Sequence, residues 1–249
     1  WMELLELAQY FTHEMIKEQN EGKTDSTPDQ AMIDMFNSMV DEMFEYGRFI
    51  LKEKRKNPAN DLLSAIANAE INGEKLSDEF LDGSWLLIIF AGNDTTRNTM
   101  SGGIKLLHEN QKQKEMLIDN LELLPNFINE TIRCVSPVIH MRRTSLEETE
   151  INGQKIGPYE KIALWYGAAN RDPDVFEDPD KFNILRDNAD KHLAFGIGRH
   201  TCIGKPVALM QLQEFYLQFL TRFQDFEMNG DWKVAPNNFV HAIQEMPIK

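Results

Sequence analysis

Apolar residues recur at helical spacing along most of the chain. Met2, Leu4, Leu5, Leu7, Phe11 and Ile16 predict a helix over 1–20. Positions 19–28 are polar and turn-rich and predict a loop. Over 29–56, Met32, Met35, Phe36, Met39, Met43, Phe44 and Phe49 predict a second helix with one core-facing stripe. Lys52, Lys54, Arg55 and Lys56 close it, which suits the negative end of a helix dipole. Asn57-Pro58 starts a turn, a short helix begins at Asp61, and Asn72-Gly73 marks another turn. Ser77 is placed to cap a helix over 78–109, with Asp78 and Glu79 in its first turn. That helix is apolar nearly all round over 85–92, as expected of one that crosses the middle of a fold.

The second half changes period. A charged amphipathic helix is predicted over 111–124, Pro125 interrupts, and a short helix follows over 126–135. After Ser136-Pro137 come short strands over 141–144, 148–151, 154–156 and 162–166, with Asn152-Gly153 as a hairpin turn. Two Pro/Asp-rich turns follow, over 169–173 and 178–182. A helix over 203–223 carries Val207, Met210, Phe215, Phe219, Leu220 and Phe223 as expected core contacts. The fold class is therefore mainly α with small β-sheets.

Three stretches carry chemistry beyond this pattern. In the long helix lies Ala91-Gly92-Asn93-Asp94-Thr95-Thr96-Arg97-Asn98. Gly92, Asp94 and Thr95 are poor choices for a buried helix interior, so the patch is either a kink or a site. A glycine removes bulk, a threonine hydroxyl can bond a ligand, and a carboxylate can relay protons. Glu130 and Arg133 share one face of the short helix, and burial there would demand further partners. The third stretch is Phe195-Gly196-Ile197-Gly198-Arg199-His200-Thr201-Cys202-Ile203-Gly204, directly before a helix. Glycines on both sides suit a tight turn, and a helix N-terminus favours a thiolate over a thiol. Such a thiolate is a soft iron ligand, whereas a lone cysteine is more often inert core. Cys134 reads as core.

Composition narrows the partners. The chain has 249 residues and a net charge of −14, which argues against nucleic acid as the main partner. No apolar run is long enough for a membrane span and no secretory leader opens the chain, so reduced thiols and a cytoplasmic location are expected. Arg199, His200 and Lys205 make the cysteine loop locally positive.

The pattern Phe-Gly-x-Gly-x-His-x-Cys-x-Gly resembles the haem-binding loop of the cytochrome P450 family. The Ala91-Gly92-x-Asp94-Thr95-Thr96 patch resembles that family's oxygen-binding motif, and Glu130-x-x-Arg133 its structural pair. The Pro/Asp-rich turns over 169–173 and 178–182 both resemble the meander that precedes its haem loop. The resemblance implies haem b, iron protoporphyrin IX, with Cys202 as the metal ligand and O2 as co-substrate. It implies Phe195, Gly196, Gly204, Ala91 and Gly92 around the haem, with His200 and Arg143 on its propionates and some apolar residues of the 203–223 helix touching it. Arg142 is left facing solvent. Thr95 and Asp94 become the acid–alcohol pair that delivers protons during oxygen activation. A third partner for Glu130 and Arg133 is open between Lys181, Arg186 and Arg171.

The resemblance further implies that 1–249 is the C-terminal part of a single domain, the N-terminal portion of the fold lying outside it. Its parts would be lid-like helices over 1–76, a central helix over 77–109, the Glu-x-x-Arg helix over 126–135 and β hairpins over 138–166. The haem loop over 195–204 and a proximal helix over 205–223 follow, and the tail over 238–247 resembles the family's last hairpin. The implied activity is a monooxygenase acting on an apolar small molecule, resembling bacterial hydroxylases of alkanes, terpenoids or sterol side chains. A ferredoxin- or flavodoxin-type protein would donate electrons, docking on the positive patch. The alternatives are a haem-thiolate peroxygenase or isomerase, or a non-catalytic haem-binding fragment.

Overall fold

The computed structural model describes residues 30–235, 237 and 239–249, apart from the side chains of Met32 and Ala235. The helix expected over 1–20 and the loop after it lie outside the described residues. Contacts divide the chain into two compact units, 1–93 and 94–249.

The first unit contains α1 (Gln30–Lys56), α2 (Leu62–Asn68), the strands β1 (Glu70–Ile71) and β2 (Glu74–Lys75), and the opening turns of α3 (Asp78–Glu109). Asp61 caps α2, accepting the Ser64 amide at 2.8 Å, and Ser77 accepts the Phe80 amide at 3.2 Å at the head of α3. The β1–β2 turn uses Asn72 and Gly73 at φ 56° and 83°. Its core is Met43, Leu51, Ala67, Leu81 and Trp85, and the Trp85 indole donates to the Met43 carbonyl at 3.0 Å. Trp85 lies flat against Gly47, where a Cβ would come within 2.5 Å of the ring. The expected stripe holds for Phe36, Met39, Met43 and Phe44, but Met35 and Phe49 are exposed. At roughly 100° per residue, Phe49 stands about 120° round the helix from Met43, outside the buried arc.

The second unit holds the rest of α3, α4 (Gln111–Asp119), α5 (Leu124–Val135), β3 (His140–Thr144), β4 (Thr149–Ile151), β5 (Gln154–Ile156) and β6 (Lys161–Trp165). A short α6 (Tyr166–Ala169), α7 (Lys205–Arg222), β7 (Lys233–Ala235) and β8 (Ala242–Glu245) complete it. Every sheet among the described residues is a two-stranded antiparallel pair: β1–β2, β3–β6, β4–β5 and β7–β8. The Asn152-Gly153 hairpin forms as expected. No helix among the described residues is long and apolar enough to cross a membrane.

Two boundaries differ from the sequence pattern. The helix expected over 111–124 stops at Asp119, because the Asn120 side chain accepts the Glu122 amide at 3.1 Å and starts a new single turn. Pro125 does not interrupt a helix. It lies in the first turn of α5, where its missing N–H leaves no helical bond unmade.

The core of this unit gathers α3, α5 and α7. Phe127 meets the ring of Tyr216 edge-on at 4.8 Å. The buried Tyr216 hydroxyl donates to the Thr99 and Met100 carbonyls at 2.8 and 3.0 Å. The buried row of α7 is Leu212, Tyr216 and Leu220 at four-residue spacing; Val207 and Met210 are exposed, as is Phe223 just after the helix. Gly103 gives the Tyr216 hydroxyl its notch, since a Cβ there would collide with it. Replacing Gly103 with alanine gains about 1 kcal/mol of helix propensity but overpacks the core by ~1–3 kcal/mol and strands a buried hydroxyl. The expected net result is a lower urea midpoint; a midpoint at or above wild type would show that the α3–α7 contact yields without cost.

Candidate functional site

The most extensively bonded buried polar cluster among the described residues centres on Glu130 and Arg133, both fully buried in α5. Arg133 grips the carboxylate with two parallel bonds of 2.8 Å, from Nε to Oε2 and Nη2 to Oε1. Arg186 is the third partner: its Nε lies 3.2 and 3.1 Å from the two Glu130 oxygens. Lys181 pairs instead with Asp178 at the surface, at 2.6 Å, and Arg171 donates to the Cys134 carbonyl at 2.7 Å. A planar fork explains the choice, because a lysine cannot serve a carboxylate and several carbonyls together. The remaining guanidinium N–H groups reach carbonyls of an irregular segment: Arg133 to Asn170, Pro179 and Lys181, Arg186 to Glu177, Asp178 and Lys181.

The cysteine loop follows that segment. The Cys202 amide donates to the Phe195 carbonyl at 2.8 Å, and the Gly196 amide to Leu193 at 2.8 Å, so backbone bonds close the loop. Gly196 and Gly198 take φ of 69° and 70°, and a Cβ on Gly196 would come 3.3 Å from the His200 carbonyl. Gly204 has an ordinary helical φ of −79°; a Cβ there would sit 3.7 Å from the Cys202 sulfur. The Cys202 side chain is free and exposed. Around it in the chain stand exposed Ile197, Ile203, Val207 and Met210, and exposed Arg199, His200 and Lys205. Phe195 packs on the core beneath, 5.6 Å from the His192 ring. Cys134 is a different thiol: burial and the nearby Glu130 carboxylate push it up to about 11.

The motif lies wholly within α3. Asp94 is buried and ion-paired with Arg97 at 2.7 Å; Thr95 is half-buried, and its carbonyl accepts the Thr99 hydroxyl at 2.8 Å. Asn98 anchors this turn, donating to the Asp94 carbonyl and accepting the Ile243 amide of β8, both at 2.9 Å. Ala91 and Gly92 are exposed and belong to the first unit; among the described residues, a Cβ on Gly92 would meet nothing within 4 Å. Arg143 is half-buried on β3, its Nη1 donating to the Arg142 carbonyl at 3.1 Å, while Arg142 is exposed as expected. The structure thus gathers Phe195, Gly196, His200, Cys202 and Gly204 in one loop and Asp94 with Thr95 on one turn.

The cytochrome P450 family model matches residues 9–245. The chain belongs to the cytochrome P450 family. Linalool 8-monooxygenase of Pseudomonas putida is 36% identical over 210 residues, which are 84% of this chain and 52% of that protein. A steroid C26-monooxygenase of Mycolicibacterium smegmatis is 36% identical over 222 residues, 88% of this chain and 55% of that protein. The crystal structure of CYP109E1 from Bacillus megaterium in complex with testosterone superposes with a TM-score of 0.81 at 32% identity, covering 88% of this chain and 61% of that one. This P450 chain spans about half the length of the curated relatives it matches.

P450 membership implies a haem, and the residues present fit one. An exposed thiol on a loop closed by its own backbone is a ready soft donor. The apolar patch of Ile197, Ile203, Val207 and Met210 is unusual surface for an acidic protein and suits a porphyrin face or a partner. Two residues of the P450 loop's support carried no signal in the sequence. His192 is buried against Phe195 and pushed down to about 4, first by burial and then by Lys205, so it is neutral at pH 7. Asn170 lay in the Pro/Asp-rich turn over 169–173, whose resemblance to the family's meander singled out no role for it.

Proposed function

We propose that this chain carries the haem-thiolate centre of a monooxygenase. It would insert one atom of dioxygen into a C–H bond of an apolar small molecule, with electrons from a ferredoxin- or flavodoxin-type donor. The observation that carries this reading is the exposed Cys202 thiol on its closed loop, in a chain of the P450 family. When bound, haem b supplies the one-electron and dioxygen chemistry that no side chain can perform.

The chain's own residues have separate tasks. Cys202 gives the thiolate, with Gly196 and Gly204 keeping bulk away from the loop backbone and sulfur. Phe195 walls the loop from below, and His200 and Arg143 neutralise the propionates. Ala91 and Gly92 present no side chain larger than a methyl where small molecules must pass. Thr95 holds a proton at its hydroxyl, and the Asp94 carboxylate resupplies it. Arg97, about one-third exposed, keeps that carboxylate oriented toward a route from solvent. Positioned proton transfer of this kind is typically worth ~10²–10⁴-fold. Arg199 and Lys205 form the docking patch for an acidic electron donor. The names of the relatives support an apolar substrate: linalool, a steroid and, for a protein of Mycobacterium bovis, a methyl-branched lipid.

The test is turnover of the haem-loaded protein under isotopically labelled dioxygen. One labelled atom per product, dependent on an electron donor, is the expected result; unlabelled product would exclude oxygen insertion. Replacing Thr95 with alanine should lower product per reductant consumed by roughly ten-fold or more while reductant use continues. Unchanged coupling would remove Thr95 from proton delivery.

A further inference from the structure

We propose that Asn170 is the positioning residue that joins the buried Glu130–Arg133–Arg186 cluster to the cysteine loop. The proposal rests on Cys202 being the haem ligand. Asn170 is fully buried, and all its polar groups are used. Its carbonyl accepts Arg133 Nη1 at 2.8 Å. Its Oδ1 accepts the Leu193 amide at 2.6 Å, and its Nδ2 donates to the Ser136 hydroxyl at 2.8 Å. That hydroxyl donates in turn to the Arg133 carbonyl at 2.9 Å. The Leu193 carbonyl accepts the Gly196 amide, and the Phe195 carbonyl accepts the Cys202 amide, both at 2.8 Å. Four hydrogen bonds therefore lead from the Arg133 guanidinium to the backbone of Cys202: Arg133 to Asn170, Leu193 to Asn170, Gly196 to Leu193 and Cys202 to Phe195.

The residue type follows from the two opposite demands on one side chain. Leu193 offers a donor and needs an acceptor. The Ser136 oxygen spends its own proton on Arg133 and needs a donor. A flat carboxamide supplies both at fixed geometry, and neither end is open to water as a substitute. Aspartate would keep the acceptor for Leu193 and lose the donor for Ser136. Alanine would lose both. Leu193 lies between the single helical turn Ala189–Lys191 and the cysteine loop and belongs to no strand or helix itself, so the Asn170 oxygen fixes its amide at the entry to the loop.

Three variants separate positioning from general stability: Asn170→Ala, Asn170→Asp and Ser136→Ala. Two signals are read, amide hydrogen exchange at residues 193–196 and the ratio of thiolate-type to thiol-type Soret bands in the ferrous carbon-monoxide complex of the haem-loaded protein. Asn170→Ala should speed exchange at Leu193 and Gly196 by about ten-fold or more and move part of the band to the thiol type. Asn170→Asp and Ser136→Ala keep the acceptor for Leu193, so both should lower the melting temperature and leave both loop signals at wild-type values. Wild-type signals in Asn170→Ala would overturn the proposal, as would an equal change in all three variants. Should Asn170→Ala not fold, Asn170→Asp decides alone: a slow Leu193 amide supports the proposal and a fast one overturns it. If the wild-type protein shows no thiolate-type band, the ligand assignment of Cys202 fails, while the exchange measurement still judges Asn170.

Discussion

Replacing Cys202 with serine is expected to abolish the red-shifted thiolate-type Soret band of the ferrous carbon-monoxide complex, and with it product formation. Oxygen replaces sulfur in a side chain of nearly the same shape, so a soft, polarisable donor becomes a hard one whose proton is far more difficult to remove at neutral pH. The change is confined to chemistry because the loop is held by main-chain groups. The Cys202 amide bonds to Phe195 and its carbonyl accepts Lys205 at 3.2 Å, and both bonds survive the substitution. The side chain is exposed, so little packing is lost and stability should stay within ~0.5 kcal/mol of wild type. Cys134→Ser is the control and should leave the band in place. A full thiolate-type band in the Cys202 variant, or its loss in the Cys134 variant, would overturn the assignment.

The second large effect concerns stability. Glu130→Ala should cost ~3–5 kcal/mol, because it leaves two guanidinium groups buried against carbonyls with no counter-charge. Against a typical total of about 5–15 kcal/mol, that is enough to leave much of the protein unfolded at moderate temperature. The reason is asymmetry: the intact cluster gains only modestly over an apolar replacement, but a broken one retains all its desolvation cost. Arg186→Lys should fall between wild type and Glu130→Ala, since an ammonium keeps the charge and loses the fork. Lys181→Ala, at the surface beside Asp178, should change nothing measurable. Urea denaturation of the three variants gives the order. A small loss for Glu130→Ala, or a large one for Lys181→Ala, would mean that the cluster is assembled differently in solution.

Much of this was readable from the amino acids, for reasons that differ by element. Asn152-Gly153 and Asn72-Gly73 demand positive φ, and Ser77 and Asp61 have a capping geometry that few residues share; local chemistry fixes such features. The long α3 was legible from its Ser77 cap and the acidic Asp78 and Glu79 in its first turn. The buried face of α7 was less legible. Val207, Met210 and Phe223 are as apolar as Leu212 and Tyr216, so hydropathy alone could not say which face meets α3 and α5. The third partner of Glu130 was equally hidden. Lys181 and Arg171 are cations in the same stretch as Arg186, and only the three-dimensional path of the segment after α6 selects Arg186. Asn170 escaped notice because a polar residue in a turn looks solvent-facing until the arginine beneath it is placed.

That segment has an unusual relation to its own sequence. Residues 177–181 are gripped through their carbonyls by Arg133 and Arg186, while the side chains of Glu177, Asp178, Asp180 and Lys181 are exposed. Carbonyls are the same in every residue. The identities of Glu177, Asp180 and Lys181 are therefore free to drift over evolutionary time, whereas Asp178, at a φ of 44°, is confined to residues that tolerate the left-handed region. The segment's length has no such freedom. One inserted or deleted residue would displace the carbonyls by up to about 3.5 Å, more than a hydrogen bond tolerates, and would break register with both arginines at once.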